Sequence, residues 1–202
     1  MVIGKIVKSN SHIDYLCRIN DKLETEEPPD ISAYTFGRFV RISAPINQRA
    51  SSPSHIVGVI YNSELVNPEF GSYGPRLTTP PDQNAVFSPD YVNEQFTLVG
   101  ILLLGWMDGS VGTHKIPPEI VPLNIEVSTL SDEDTRMFHI DQSQEFHLNY
   151  YSHLLLHAGR FGPQLVQTIL DQLNRLFDNR YAAMLAILRD TLSWQMTMTA
   201  LK

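Results

Sequence analysis

Twelve residues, from Phe96 to Met107, make the most apolar run in the chain and constrain its fold more than any other stretch. The run shows neither polar alternation nor helical amphipathicity, carries Gly100 and Gly105 in its interior, and ends at Asp108–Gly109–Ser110. That pattern predicts a strand apolar on both faces, with a buried helix as its rival. A helix needs ~20 apolar residues to cross a bilayer, so no membrane span is expected here.

A strand buried on both sides requires cover, and the chain is long enough to supply it: 202 residues, 43% of them hydrophobic, suffice for a sizeable core. Charge is uneven. Residues 1–140 carry ten Lys and Arg against seventeen Asp and Glu, whereas residues 141–202 carry five of each sign. No basic cluster appears, which argues against direct nucleic-acid binding. The single cysteine, Cys17, has no partner for an internal disulfide and lacks multi-Cys metal spacing. The opening Val2–Val7 is too short and too early interrupted by charge for a secretory signal. A cytoplasmic, soluble protein is the expectation.

Along the chain, Val2–Ser9 reads as a strand, and Ile13, Tyr15, Cys17 and Ile19 alternate with Asp14, Leu16 and Arg18 as a second one after a tight turn. Asp21–Asp30, with Pro28–Pro29, reads as an exposed loop. Phe36–Ser43 and His55–Glu64 are the third and fourth strands, separated by a Pro/Ser loop over residues 44–54. Asn67–Tyr91 is long and proline-rich, a length usually reserved for functional or mobile loops, and is the first place to expect a partner. The apolar run is the fifth strand. Leu123, Ile125 and Val127 alternate with polar residues as a half-buried sixth.

Ser131 then caps a short helix whose first turn, Asp132–Glu133–Asp134, complements the helix dipole. Beyond Phe146 the period becomes helical: Tyr150, Leu154 and Ala158 recur at four-residue steps, and Gly159–Gly162 interrupts them. Pro163 suits a first helical turn, and Leu165, Val166, Ile169, Leu170, Leu173, Leu176 and Phe177 form a broad stripe. Asp178–Asn179 marks a break before a final helix carrying Tyr181, Met184, Leu185, Leu188 and Leu192. The fold class expected is α+β, with a small six-stranded antiparallel β-barrel over residues 1–140 and C-terminal α-helices over 141–202.

The residues themselves carry a resemblance. Gly4–Lys5–Ile6–Val7, Phe36–Gly37–Arg38–Phe39–Val40–Arg41–Ile42, and Val57–Gly58–Val59–Ile60 followed by Asn67–Pro68 resemble the HAS barrel of HerA-type ATPases and ATP synthase subunits. Val99–Gly100–Ile101–Leu102, Pro117–Pro118 and Val127–Asp134 agree with it, so the resemblance spans residues 2–140. In the HerA family such a barrel precedes an ATPase core, helps assemble a ring and engages a nuclease. The ATPase core has no counterpart here. A phosphate-binding loop requires G-x-x-x-x-G-K-[ST], and Gly100–Gly105 is followed by Trp106–Met107. Those glycines are better read as relief of crowding in a packed strand.

Other constellations give weaker signals. His153 and His157 sit four apart on a helix with His147 nearby, a spacing that two metal-ligating imidazoles can use, but the H-E-x-x-H signature is absent. Polar residues on a helix face are the plainer reading, and protonation of such a cluster would tune an interface near pH 6.5. No G-x-S-x-G elbow appears, and Asp108–Gly112 reads as a turn. Cys17 reads as a small core residue. Arg38 and Arg41 flank the third strand; they suit an acidic partner or phosphate, or serve as solvated charges on a sheet edge.

The tail holds more large hydrophobes than a lone hairpin hides, with Trp194, Met196 and Met198 extending that character. They dock on the barrel or on another copy. These features predict a non-enzymatic oligomerisation or adaptor module, a homo-oligomer working with a separately encoded ATPase or nuclease of DNA processing. The alternative is a small-molecule or nucleotide binder, possible also as an enzyme, with a cleft between barrel and helices lined by His147, His153, His157 or the long loop. No catalytic, cofactor-binding or metal-binding residue is assigned, and no cofactor is called for.

Overall fold

The computed structural model describes residues 1–22, 24–43, 54–67, 96–141 and 143–200, with side chains in the last helix described as far as Trp194. The loop over 44–53, the proline-rich stretch 68–91 and the side chains of Met196 and Met198 lie outside the described residues. Seven strands occur among them: β1 (Val2–Ser9), β2 (Asp14–Ile19), β3 (Phe39–Ile42), β4 (Ser54–Val66), β5 (Phe96–Asp108), β6 (Val111–Thr113) and β7 (Glu126–Thr129). Four α-helices follow: α1 (Asp132–Phe138), α2 (Tyr151–His157), α3 (Gly162–Leu176) and α4 (Ala182–Ala200).

Six of the strands form a closed antiparallel barrel in the order β2-β1-β7-β3-β4-β5, and pairing of β2 with β5 seals it. β6 is a short hairpin flap on β5. The α+β reading and the six-stranded barrel followed by helices therefore hold. So does the strand assignment of the apolar run: every residue from Val99 to Gly105 is buried.

The reason β5 lacks polar alternation is that two cores meet on it. Val99, Ile101 and Leu103 point into the barrel with Ile3, Ile6, Tyr15 and Cys17. Leu102, Leu104 and Met107 point outward, against Leu165, Ile169 and Leu173 of α3. β4 divides the same way, with Ile56 and Ile60 inside and Val57 and Val59 outside. β2, by contrast, alternates buried and half-buried residues along its whole length, as period-2 patterning predicts.

The glycines of β5 permit close approach. A Cβ on Gly105 would lie 1.9 Å from the Thr113 carbonyl oxygen, and one on Gly100 would lie 2.9 Å from the Tyr61 ring. The register of β4 against β5 shifts between Val57–Gly105 and Gly58–Leu103, so Leu104 is the extra residue of a bulge beside Gly105. The bulge resets the alternation, packing Trp106 with the barrel core and Met107 with the helices.

Three expectations need correction. The third strand begins at Phe39 rather than Phe36, because Gly37 N–H donates to Ile60 O (2.8 Å) and Arg38 N–H to Thr35 O (3.1 Å), turning the chain first. The sixth barrel strand begins at Glu126, since Asn124 sits at φ 64° and leaves Leu123 exposed. Asp108–Gly112 is a turn only at Gly109–Ser110; Asp108 ends β5, and Val111 and Gly112 belong to β6.

Candidate functional site

The helical layer is attached to the barrel wall through a stripe on α3. Leu165, Ile169, Leu170 and Leu173 are essentially inaccessible and share one core with the outward residues of β4 and β5. Pro163 lies in the first turn of α3, and Asp178 and Asn179 adopt positive φ (49° and 61°) where the chain reverses into α4. The C-terminal helices thus dock on the barrel, with α4 adding Leu185 and Leu192 to the same core.

A network of imidazoles joins α1 and the start of α2 to the flap. His139 Nδ1 lies 2.7 Å from Thr135 O, and its Nε2 lies 2.6 Å from the Tyr150 hydroxyl. A carbonyl only accepts, so Nδ1 carries the proton and Tyr150 donates to Nε2. His114 repeats this logic: Nε2 donates to Phe138 O (2.9 Å) and Nδ1 accepts from the Asn149 N–H (3.3 Å). Both rings are buried and neutral. Burial drives His114 down to about 2, helped by His139 and His147, and His139 down to about 3. Their hydrogen bonds make them structural clamps.

The histidines singled out from the sequence do not converge. His147 lies against His114 with the rings tilted and their centroids 4.0 Å apart, while His153 and His157 pair elsewhere at 4.8 Å. His153 Nε2 donates to Leu103 O (3.0 Å), fastening α2 to β5, and burial lowers its affinity for a proton. His157 is exposed. Among the described residues no group of three or more His, Cys, Asp or Glu side chains is arranged to hold a metal. Cys17 lies inside the barrel, fully buried, with its thiol pushed up to about 12 by desolvation.

Arg38 and Arg41 part company. β3 is paired on both sides, by β4 and β7, so it offers no sheet edge for charges to guard. Arg41 is exposed, whereas Arg38 is half-buried at the mouth of a cavity of about 400 Å³ between barrel and helices. A cleft at that boundary was expected, but histidines and the long loop do not define it. Its rim carries Arg38, Arg136 of α1 and Arg175 of α3, with Asp132 opposite in sign, and its apolar lining includes Phe39, Leu130 and Leu173. Arg136 and Arg175 each sit in the last turn of a helix, where a basic residue reads from sequence as dipole compensation. Nothing local connects them to Arg38.

The profile of the domain of unknown function DUF8166 matches residues 1–202, the full sequence. The chain belongs to that family. Comparison with curated proteins finds no match. The DUF8166 fold is thus a six-stranded barrel with a helical layer on its wall. No helix among the described residues is long and apolar enough to cross a membrane.

A second feature of this DUF8166 chain is the outer side of α4. Leu185 and Leu192 face inward at 1% and 2% exposure, whereas Met184, Ile187 and Trp194 are 42%, 66% and 72% exposed. Ile187 and Trp194 are two turns apart and lie on one face. That face carries Asp190 as its charge, since Arg189 is engaged in an ion pair with Asp171 of α3.

Proposed function

We propose that this protein is a non-enzymatic interaction module that self-associates through α4. The observation that carries the reading is the two-sided apolar character of that helix: one side is consumed by the core and the other, with Ile187 and Trp194, has no cover among the described residues. A second copy fits this face. An antiparallel pair centred between Asp190 and Thr191 sets Ile187 of one copy against Trp194 of the other and brings the two Asp190 carboxylates near each other at the rim of the contact beside the two-fold axis. Such a two-fold contact is self-complementary and closes at two chains. Light scattering on the full chain is expected to give twice the chain mass, and Ile187→Glu or Trp194→Glu to give a folded monomer. A monomeric parent protein would remove the proposal.

We also propose that the barrel is of HAS type and that the module serves as a cytoplasmic adaptor for a separately encoded ATPase or nuclease of DNA processing. Support comes from the quoted motifs, of which Gly4–Val7, Phe39–Ile42, Val57–Ile60, Val99–Leu102 and Val127–Thr129 fall in barrel strands β1, β3, β4, β5 and β7, and from the single cysteine, held as a buried thiol. Affinity purification of the tagged chain from its source cell is the test. Recovery of no ATPase or nuclease in stoichiometric amount argues against this role.

A further inference from the structure

The cleft between barrel and helices has a charge that the rest of the molecule does not explain. The chain has a formal net charge of −7, yet three guanidinium groups, those of Arg38, Arg136 and Arg175, border one cavity. The ion pairs found among the described residues involve Arg18 and Arg189, not these three. Each is held in place by its backbone or its Nε rather than by a carboxylate. The Arg136 Nε donates to Leu176 O at 2.9 Å, and the Arg175 Nε donates to Asp171 O at 3.3 Å. Arg38 is fixed at the start of β3, where its carbonyl accepts from Ile60 N–H at 3.0 Å, and its Nε is shielded from solvent without a hydrogen-bond partner.

Holding guanidiniums by Nε leaves their terminal amines to face a ligand, and an unpartnered buried donor costs stability that a ligand's oxygen would return. We propose that this cleft binds a small phosphate monoester, with the phosphate among Arg38, Arg136 and Arg175 above a floor sealed by Phe39, Leu130 and Leu173 and the organic part directed toward the opening. The charges favour phosphate over a single carboxylate. Three arginines and Asp132 leave a local charge of +2, which matches the ~−2 of a monoester near neutral pH. The cavity, about 400 Å³, is within the usual range for small-molecule sites, roughly 300–1,000 Å³. The floor is already built. Phe39, Leu130 and Leu173 are 3%, 3% and 0% exposed, so they seal the base of the cleft and leave its polar rim as the surface a ligand meets.

The test is thermal unfolding and calorimetry of the full chain with phenyl phosphate and 5′-AMP as probes, and with adenosine and citrate as comparisons. Either ester is expected to raise the melting temperature, by roughly 5–10 °C at a hundredfold excess over Kd. Adenosine should have no effect. Arg175→Gln, on an exposed helix face where folding is not at stake, should weaken ester binding about tenfold, and Arg38→Gln at least as much. Arg180→Gln, whose guanidinium lies over the Tyr181 ring outside the cleft, should leave binding unchanged. Absence of any shift with both esters, stabilisation by citrate alone, or ester binding indifferent to both Arg38→Gln and Arg175→Gln would overturn the proposal.

Discussion

Lowering the pH from 7 to 5 should destabilise the folded protein by about 4 kcal/mol through His114 and His139. In the unfolded chain each imidazole takes up a proton below about pH 6.5. In the folded protein both stay neutral until about 2 and about 3, because burial opposes the charge. The hydrogen bonds agree: in each ring one nitrogen donates to a carbonyl and the other accepts, so an added proton would face a donor. The unfolded state therefore binds the extra protons first. Stability is complete above pH 6.5 and drains away as the pH falls below it.

At pH 5 each histidine contributes about 2 kcal/mol of loss relative to pH 7, a large share of the ~5–15 kcal/mol that holds a typical domain together. His55, His147 and His153 shift in the same direction, again chiefly through burial, and so steepen the slope. Urea unfolding at several pH values between 5 and 6.5 measures the effect as proton uptake on unfolding. The two rings are expected to contribute about one proton near pH 6.5 and about two near pH 5, and His139→Gln should remove about half of that contribution. A slope of less than one proton in the parent protein would refute the assignment of both rings as buried and neutral.

Two further predictions concern the barrel. Gly105→Ala places a methyl group where the Thr113 carbonyl oxygen already stands, so it should cost about 2–3 kcal/mol or more and displace the β6 flap, readable by chemical denaturation and by hydrogen exchange at Thr113. Cys17 should be inert to a thiol reagent at pH 8 in the folded protein and react at once on unfolding; rapid labelling of the native state would contradict its place inside the barrel.

Legibility followed how local the cause was. The alternation of Ile13, Tyr15, Cys17 and Ile19 is legible because a strand exposes successive side chains to opposite faces. Ser131 reads as a cap because its hydroxyl reaches an N–H only three residues on, accepting from Asp134 N at 3.0 Å. The same reasoning misreads Leu123 and Ile125, where the alternation continues but Asn124 reverses the backbone. Arg38 illustrates the limit most clearly. Its type suggests an anion partner or a solvated charge, and the choice between them depends on Arg136 and Arg175, which arrive from α1 and α3.

The parts were written in local order: the six barrel strands, the helices, the stripe that α3 hides, and the need to cover Phe96–Met107 on both sides. It took packing between distant segments to join β2 to β5 and close the barrel, to lay the helices on its wall, and to set three arginines around one cleft while three histidines divide between two clusters. Hydrophobic periodicity acts within a few residues, so the order of side chains along the chain carries it. Convergence of charges and imidazoles depends on how distant segments pack, and local order does not record it.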